Sequence, residues 1–356
     1  MIIFFNRSIF NNQDPNIQSV LADILVKLIH ENCQNHFIDT QNIKDIFFDE
    51  KNQYNFNNSN IAKEYLGKEQ KIGLQEYITN IPRRPITNLH KRHLTNFTIG
   101  IDASLGEIHP NDAYKIISER SKVIVENGIN DWKFIQGICQ KYNSGKTKRR
   151  SIYQLIEDAI KNEIIESEHS GGTGEIKKIA DRWIDSNRYA NIFRYKLMAI
   201  FDSDKSSKTN YITPNKSLIE FFKKRDNITS IQPTDYECEC TDRFIWHILY
   251  KRKIENYIPL NILFRNIISI SEQQKSDLSN KSNDELDFIE YGNSAGQFNI
   301  GISETKIKEQ FPEIFLSPFS YRDLEERCKH HKVYLPEANE EVSEIEIILL
   351  KIAKII

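Results

Sequence analysis

The chain has 356 residues, of which 39% are hydrophobic and 28% charged, with a formal net charge of −2. That composition fits one large folded domain or two to three small ones, and near-neutral charge excludes a whole-molecule electrostatic pull toward nucleic acid. No apolar run reaches a membrane span, and five scattered cysteines (Cys33, Cys139, Cys238, Cys240, Cys328) point to reduced thiols in a cytoplasm rather than a disulfide framework.

In chain order, Met1-Ile2-Ile3-Phe4-Phe5 is apolar but is cut short by Asn6-Arg7 and has no basic residues before it, so no secretory signal is expected. Residues 1–118 read as a mainly helical, Asn-rich region for substrate or partner binding. Asp14-Pro15 starts a helix whose apolar positions Ile17, Val20, Leu21, Ile24, Leu25 and Leu28 recur at helical spacing. Residues 52–60 read as a polar loop. No acid lies between Glu76 and Asp102, where Arg83, Arg84, Lys91 and Arg92 stand with His90 and His93.

From Lys122 the pattern changes to strands alternating with helices, the signature of crossover units and a parallel sheet. A short buried strand at Val123–Val125 precedes a helix over 131–142, a second helix over 151–161, and a strand from Ile164-Ile165 into Ser170-Gly171-Gly172-Thr173-Gly174. A helix over 175–184, the apolar run Leu197–Phe201, a helix over 214–224 and a closing strand over 228–231 complete the expected sheet. The chain then reads as helical over 242–268, polar and linker-like over 271–287, and ends in an apolar helix from Glu344 that suits core or a subunit contact, leaving a homo-oligomer open. The expected fold class is α/β: a Rossmann-like parallel-sheet domain over 119–262, flanked by helical regions at 1–118 and 263–356.

Two of these strands deliver acid at their carboxyl ends. Val123-Ile124-Val125 runs into Glu126, and Leu197–Phe201 runs into Asp202-Ser203-Asp204. In doubly wound sheets ligands sit beyond that edge. Residues two apart in an extended chain point the same way, so Asp202 and Asp204 can share one ion if the extension persists. Hard oxygen donors suit Mg2+ or Mn2+, with phosphate completing the shell. The acid-free run 141–150, with Lys146, Lys148, Arg149 and Arg150, is a second basic stretch and a nucleic-acid contact candidate.

The order Glu126, glycine turn, then Ile200-Phe201-Asp202-Ser203-Asp204 resembles the Toprim domain, the metal-binding fold of topoisomerases, bacterial primases and OLD-family nucleases. The segment Tyr250-Lys251-Arg252-Lys253-Ile254-Glu255-Asn256-Tyr257-Ile258 resembles the one that follows the sheet in OLD-like and PARIS-type antiviral nucleases. The likeness covers about residues 120–260. It implies Glu126 as a metal-ligating or acid/base group, Asp202 and Asp204 as metal ligands, Glu255 as an accessory catalytic acid or the anchor of its segment, and Lys251 and Arg252 facing phosphate. The pattern departs at Asn127, which precedes Gly128 where the family has glycine directly, and at Asp131, five rather than four residues after the glutamate.

Other signals are weaker. Gly145-Lys146-Thr147 imitates a P-loop end, but Gln140 stands where the first glycine belongs. Cys238, Cys240 and His247 would need distant Cys328, His330 or His331 to close a zinc site. Glu166, Glu168 and His169 precede the glycine turn, and one of them could reach the metal. The expectation is an Mg2+-dependent nuclease acting on DNA or RNA, tRNA included, in bacterial antiphage defence, with a separate ATPase subunit. The alternatives are a protein that uses the ion only to bind nucleic acid or a partner, and another Toprim activity, priming or strand passage.

Overall fold

The computed structural model describes residues 1–30, 35–83, 90–208, 210, 213–226, 244–292 and 298–356. Cys33, Arg84, Cys238, Cys240 and the strand expected over 228–231 lie outside the described residues.

A four-stranded parallel sheet carries the centre of the molecule. Its strands are β4 (Ser121–Val125), β5 (Ile165–His169), β6 (Leu197–Phe201) and β7 (Ile245–Ile248), in the spatial order β5-β4-β6-β7. The chain runs from β4 outward to β5 and then returns past β4 to β6, so the order reverses between β4 and β6. That reversal is the switch point of a doubly wound sheet.

Alternation along the strands divides the core. Val123, Val125, Met198 and Ile200 pack with the helices Asn130–Ser144 and Arg150–Lys161 and the terminal helix Glu344–Lys354. Ile124, Leu197, Ala199 and Phe201 pack on the other face with the helices Thr173–Ile184 and Thr213–Asp226. The inner strands β4 and β6 are buried on both faces, which explains their apolar runs, whereas the edge strand β5 is polar after Ile165 and only part-buried.

Residues 1–118 do not form a merely helical region. They contain a second parallel sheet of β1 (Ile2–Phe5), β2 (Phe37–Ile38) and β3 (Asn96–Ile99), with β1 in the middle. The opening apolar run is therefore a central strand. The helix begun by Asp14 spans Pro15–Ile29, and the Asp14 carboxylate accepts the Asn16 N–H as its cap.

Two further expectations are corrected. The segment 242–268 is not one helix: within its described part β7 is followed by the turn at Ile254–Tyr257 and the short helix Leu260–Asn266. The polar stretch 271–287 is not a linker but holds helices Glu272–Ser279 and Asn283–Phe288, each opened by a capping box at Ser271 and Ser282. The last third then adds the helices Glu304–Ile314 and Tyr321–Cys328 and the hairpin β8 (Lys332–Leu335) with β9 (Glu340–Ser343). No described helix is long and apolar enough to cross a membrane.

Candidate active site

Beyond the carboxyl ends of β4, β5 and β6 lies a cavity of about 250 Å3. Glu126, Asp131, Asp202 and Glu255 line it together with Lys253, Lys308, His169, Gly171 and Gly172. Glu126 and Asp202 leave β4 and β6, the two strands that meet at the switch point. Asp131 sits in the first turn of the Asn130 helix, Glu255 in the Ile254–Tyr257 turn, and Lys308 on the Glu304 helix.

Hydrogen bonds fix this edge. Glu126 Oε1 accepts the Thr173 hydroxyl at 2.8 Å and the Asp202 backbone N–H at 3.3 Å, tying three elements through one carboxylate. Asp202 Oδ1 accepts the Ile254 N–H at 3.2 Å. Asp131 Oδ2 accepts the Asn127 N–H at 2.8 Å, and Asn127 Oδ1 takes the N–H groups of Ile129 and Asn130. Gly128 approaches β5 closely enough that a Cβ there would stand 2.8 Å from His169 Cβ, while its N–H donates to His169 Nδ1 at 3.0 Å.

The four acids are held above their ordinary pKa. Burial is the first cause for each, and for Asp202 the neighbouring Glu126, Glu255 and Asp131 charges add to it. Asp131 is pushed up to about 7 by burial and by Glu126 and Glu255. Glu255 is buried, and its Oε2 has no hydrogen-bond partner among the described residues. Burial opposes the Lys253 ammonium, yet Asp204, Asp202 and Glu255 hold it above its usual range. Crowded carboxylates with this deficit of positive charge favour a hard cation in chemical terms. Among the described residues, no three His, Cys, Asp or Glu side chains form a group that could hold a metal ion as they stand.

Asp204 is not in the cavity wall. Its φ of +48° takes the chain out of extension, and its carboxylate lies 3.4 Å from Lys253 Nζ. The turn is pinned there because Arg252 O accepts the N–H groups of Ser203 and Asp204 at 3.1 and 2.9 Å. Asp204 still raises the Glu126 pKa through space.

The expected basic contacts fare differently. Lys251 is buried in an ion pair with Asp287, which also binds Arg327 at 2.7 Å and His330 at 2.5 Å. Arg252 pairs with Glu290 at 2.6 Å and donates to the Asp204 and Lys205 carbonyls. Both positions are structural, and the third basic residue of the run, Lys253, is the one that enters the cavity. Arg149 is buried between Glu340 and Glu346 and donates to His93. Lys148 is exposed and pairs with Glu340 at 2.6 Å, and Lys146 and Arg150 are also exposed. The Asn130 helix starts at the cavity and is roughly 22 Å long, and none of the residues 146–150 that follow it lines the cavity.

His247 bonds Glu344 at 2.9 Å, His330 bonds Asp287, His331 stacks on Tyr250, and Cys328 is a buried free thiol, so these residues belong to the core rather than to a zinc centre. Glu166 and Glu168 pair with Lys122, while His169 alone of that trio lines the cavity. Asp131, Lys253 and Lys308 were not among the expected site residues. An acid in a helix first turn after a strand acid was the available signal for Asp131, whereas nothing in the sequence near Lys308 marks it. Comparison with protein-family models, curated proteins and solved structures returned no match.

Proposed function

We propose that this chain is an Mg2+- or Mn2+-dependent nuclease of Toprim-like architecture that hydrolyses phosphodiesters in DNA or RNA, tRNA included. The observation that carries this reading is the gathering of Glu126, Asp131, Asp202 and Glu255 with Lys253 and Lys308 around one cavity at the switch point. The proposed donors are all carboxylate oxygens, which suit a hard divalent cation. Glu126, Asp202 and Glu255 would hold the ion, with Asp131 beside them. When bound, a divalent ion supplies positive charge to phosphate oxygens and acidifies water.

The chain's own groups then have defined tasks. Glu126 Oε1 is fixed by Thr173 and the Asp202 N–H, which orients the carboxylate. Lys253 and Lys308 neutralise phosphate on the side facing the last third of the chain. Family resemblance extends the proposal to an antiphage effector in the cytoplasm, restrained or triggered by a separate ATPase subunit, a weaker warrant than the site.

The test is incubation with plasmid, single-stranded DNA and tRNA, with and without Mg2+ or Mn2+. Cleavage that needs the ion and disappears in Asp202→Ala, with circular dichroism unchanged, is the expected result. Cleavage that survives in Asp202→Ala overturns the assignment. Ion-dependent binding without products favours the non-catalytic alternative.

A further inference from the structure

His169 stands in the cavity wall, and neither ion ligation nor the charge of the two lysines accounts for it. It closes β5, where alternation puts Ser167 and His169 on one face of the strand. Both side chains hold one glycine of the loop after β4. Ser167 Oγ donates to Gly128 O at 2.8 Å, and the Gly128 N–H donates to His169 Nδ1 at 3.0 Å. The approach requires glycine, since a Cβ at Gly128 would stand 2.8 Å from His169 Cβ and 3.3 Å from its Cα. Asn127 Oδ1 fixes the same loop by accepting the Ile129 and Asn130 N–H groups.

This clasp decides the chemistry of the ring. Only a ring nitrogen without a proton accepts an N–H, so Nδ1 is bare. Turning the ring over would set a carbon against the Gly128 N–H. A neutral imidazole then carries its proton on Nε2. No described residue bonds Nε2, and the nearest acids of β5 are occupied, Glu166 by Lys122 and Glu168 by Arg182. Three roles are thereby closed. A protonated Nε2 neither ligates a cation nor takes a proton from water, and giving its proton up would leave an imidazolate. What remains is a fixed, neutral donor lining the same cavity as Glu126 and Asp202.

We propose that His169 is a catalytic residue that touches the substrate: its Nε2–H donates a hydrogen bond to a non-bridging oxygen of the phosphodiester under attack, and no proton is transferred. The assignment deepens the nuclease reading and rests on it for the identity of the ligand. A neutral donor orients a phosphate oxygen without adding a charge that would repel the ion. Set in place beforehand by the Gly128 clasp, it acts most strongly where charge shifts in the transition state.

The test separates the two ring nitrogens. His169→Asn keeps an acceptor near Nδ1 for the Gly128 N–H but loses the cavity donor, whereas His169→Gln places an amide N–H near Nε2. With Mg2+, His169→Asn should lower kcat about 100-fold and change KM less than about twofold, while His169→Gln should stay within about tenfold of wild type. Wild-type kcat in His169→Asn with a loss in His169→Gln would reduce the ring to a loop clasp and defeat the proposal. Mn2+ affinity of His169→Asn, read by calorimetry, should match wild type within about twofold, and a greater fall would make the ring part of the ion site, against the proposal. Imidazole proton–nitrogen correlation spectra of isotopically labelled protein read the contact without cleavage, with the His169 signals identified by their absence from His169→Asn. They should show the Nε2–H tautomer, and a short single-stranded oligonucleotide added with Ca2+ should shift the Nε2–H resonance. The other tautomer, or an unmoved resonance while fluorescence anisotropy shows the oligonucleotide bound, would overturn the assignment. A wild-type protein that shows the shift but cuts nothing would sink the nuclease reading and leave the phosphate contact standing.

Discussion

At the scale of single residues, Asp202 and Asp204 illustrate how a one-residue conformational change separates two carboxylates. Their spacing places them together only in an extended chain. The positive φ at Asp204 ends the extension, and Asp204 becomes the partner of Lys253. Asp204→Asn should therefore reduce kcat at least tenfold less than Asp202→Asn, in parallel single-turnover assays. The basic run 251–253 divides in the same way. Removing Lys251 strips one of three partners from buried Asp287, so Lys251→Met should lower stability in urea denaturation by less than the about 3–5 kcal/mol of a wholly unpaired buried charge. Lys308 is exposed at the cavity, and Lys308→Ala should shift stability by no more than about 0.5 kcal/mol while weakening oligonucleotide binding. The acids were readable because a carboxylate straight after a buried strand has few structural uses. Which of three consecutive basic residues faces the site was not, since a turn without regular periodicity decides it.

At the scale of elements, the strands β4 and β6 were legible because apolar runs buried on both faces are short and bounded by polar turns, and the polar edge strand β5 because Ile164-Ile165 leads into a glycine turn. β7 was not: Phe244 to Tyr250 is apolar except for His247, and such a run fits a buried helix or strand equally. The same ambiguity hid β1 within the opening apolar residues. The helices within 271–287 left a readable trace in Ser271 with Gln274 and Ser282 with Glu285, each pair three residues apart as a capping box requires. Placing His247 on β7 against Glu344 has a pH consequence. Burial, with Lys351, pushes the His247 imidazole down to about 4 against the Glu344 charge. A depressed folded pKa means stability present above pH 6.5 is lost as pH falls toward 4, because the unfolded chain takes up the proton first. That loss should amount to about 3 kcal/mol for this group, and His247→Phe should flatten the slope of urea-melt stability across that window.

At the scale of the whole molecule, the expected boundaries near residues 118 and 262 do not separate independent cores. Ile2, Phe37 and Leu94 belong to the same cluster as Val123, Phe134 and Ile348, and Ile124 and Ala199 join that of Leu21 and Phe97. The Met1 ammonium donates to Ile356 O at 2.9 Å, and the Thr95 hydroxyl to Lys354 O at 2.6 Å. The N-terminal sheet, the central sheet and the terminal helix therefore stabilise one another. Thermal unfolding followed by far-ultraviolet dichroism and by tryptophan fluorescence should give one coincident transition, and two separated transitions would contradict the shared cores. Across this body the cavity draws on residues from 126 to 308, which explains why Lys308 could not be read from a domain-by-domain view of the sequence.

The account stands on a divalent ion lodging among these carboxylates, and the most direct measurement is anomalous diffraction from crystals grown with Mn2+. An anomalous peak bounded by the Glu126, Asp202 and Glu255 carboxylates, lost in Asp202→Ala, is the predicted result. Density for Mn2+ elsewhere on the molecule, or an unaltered peak in the variant, would contradict it.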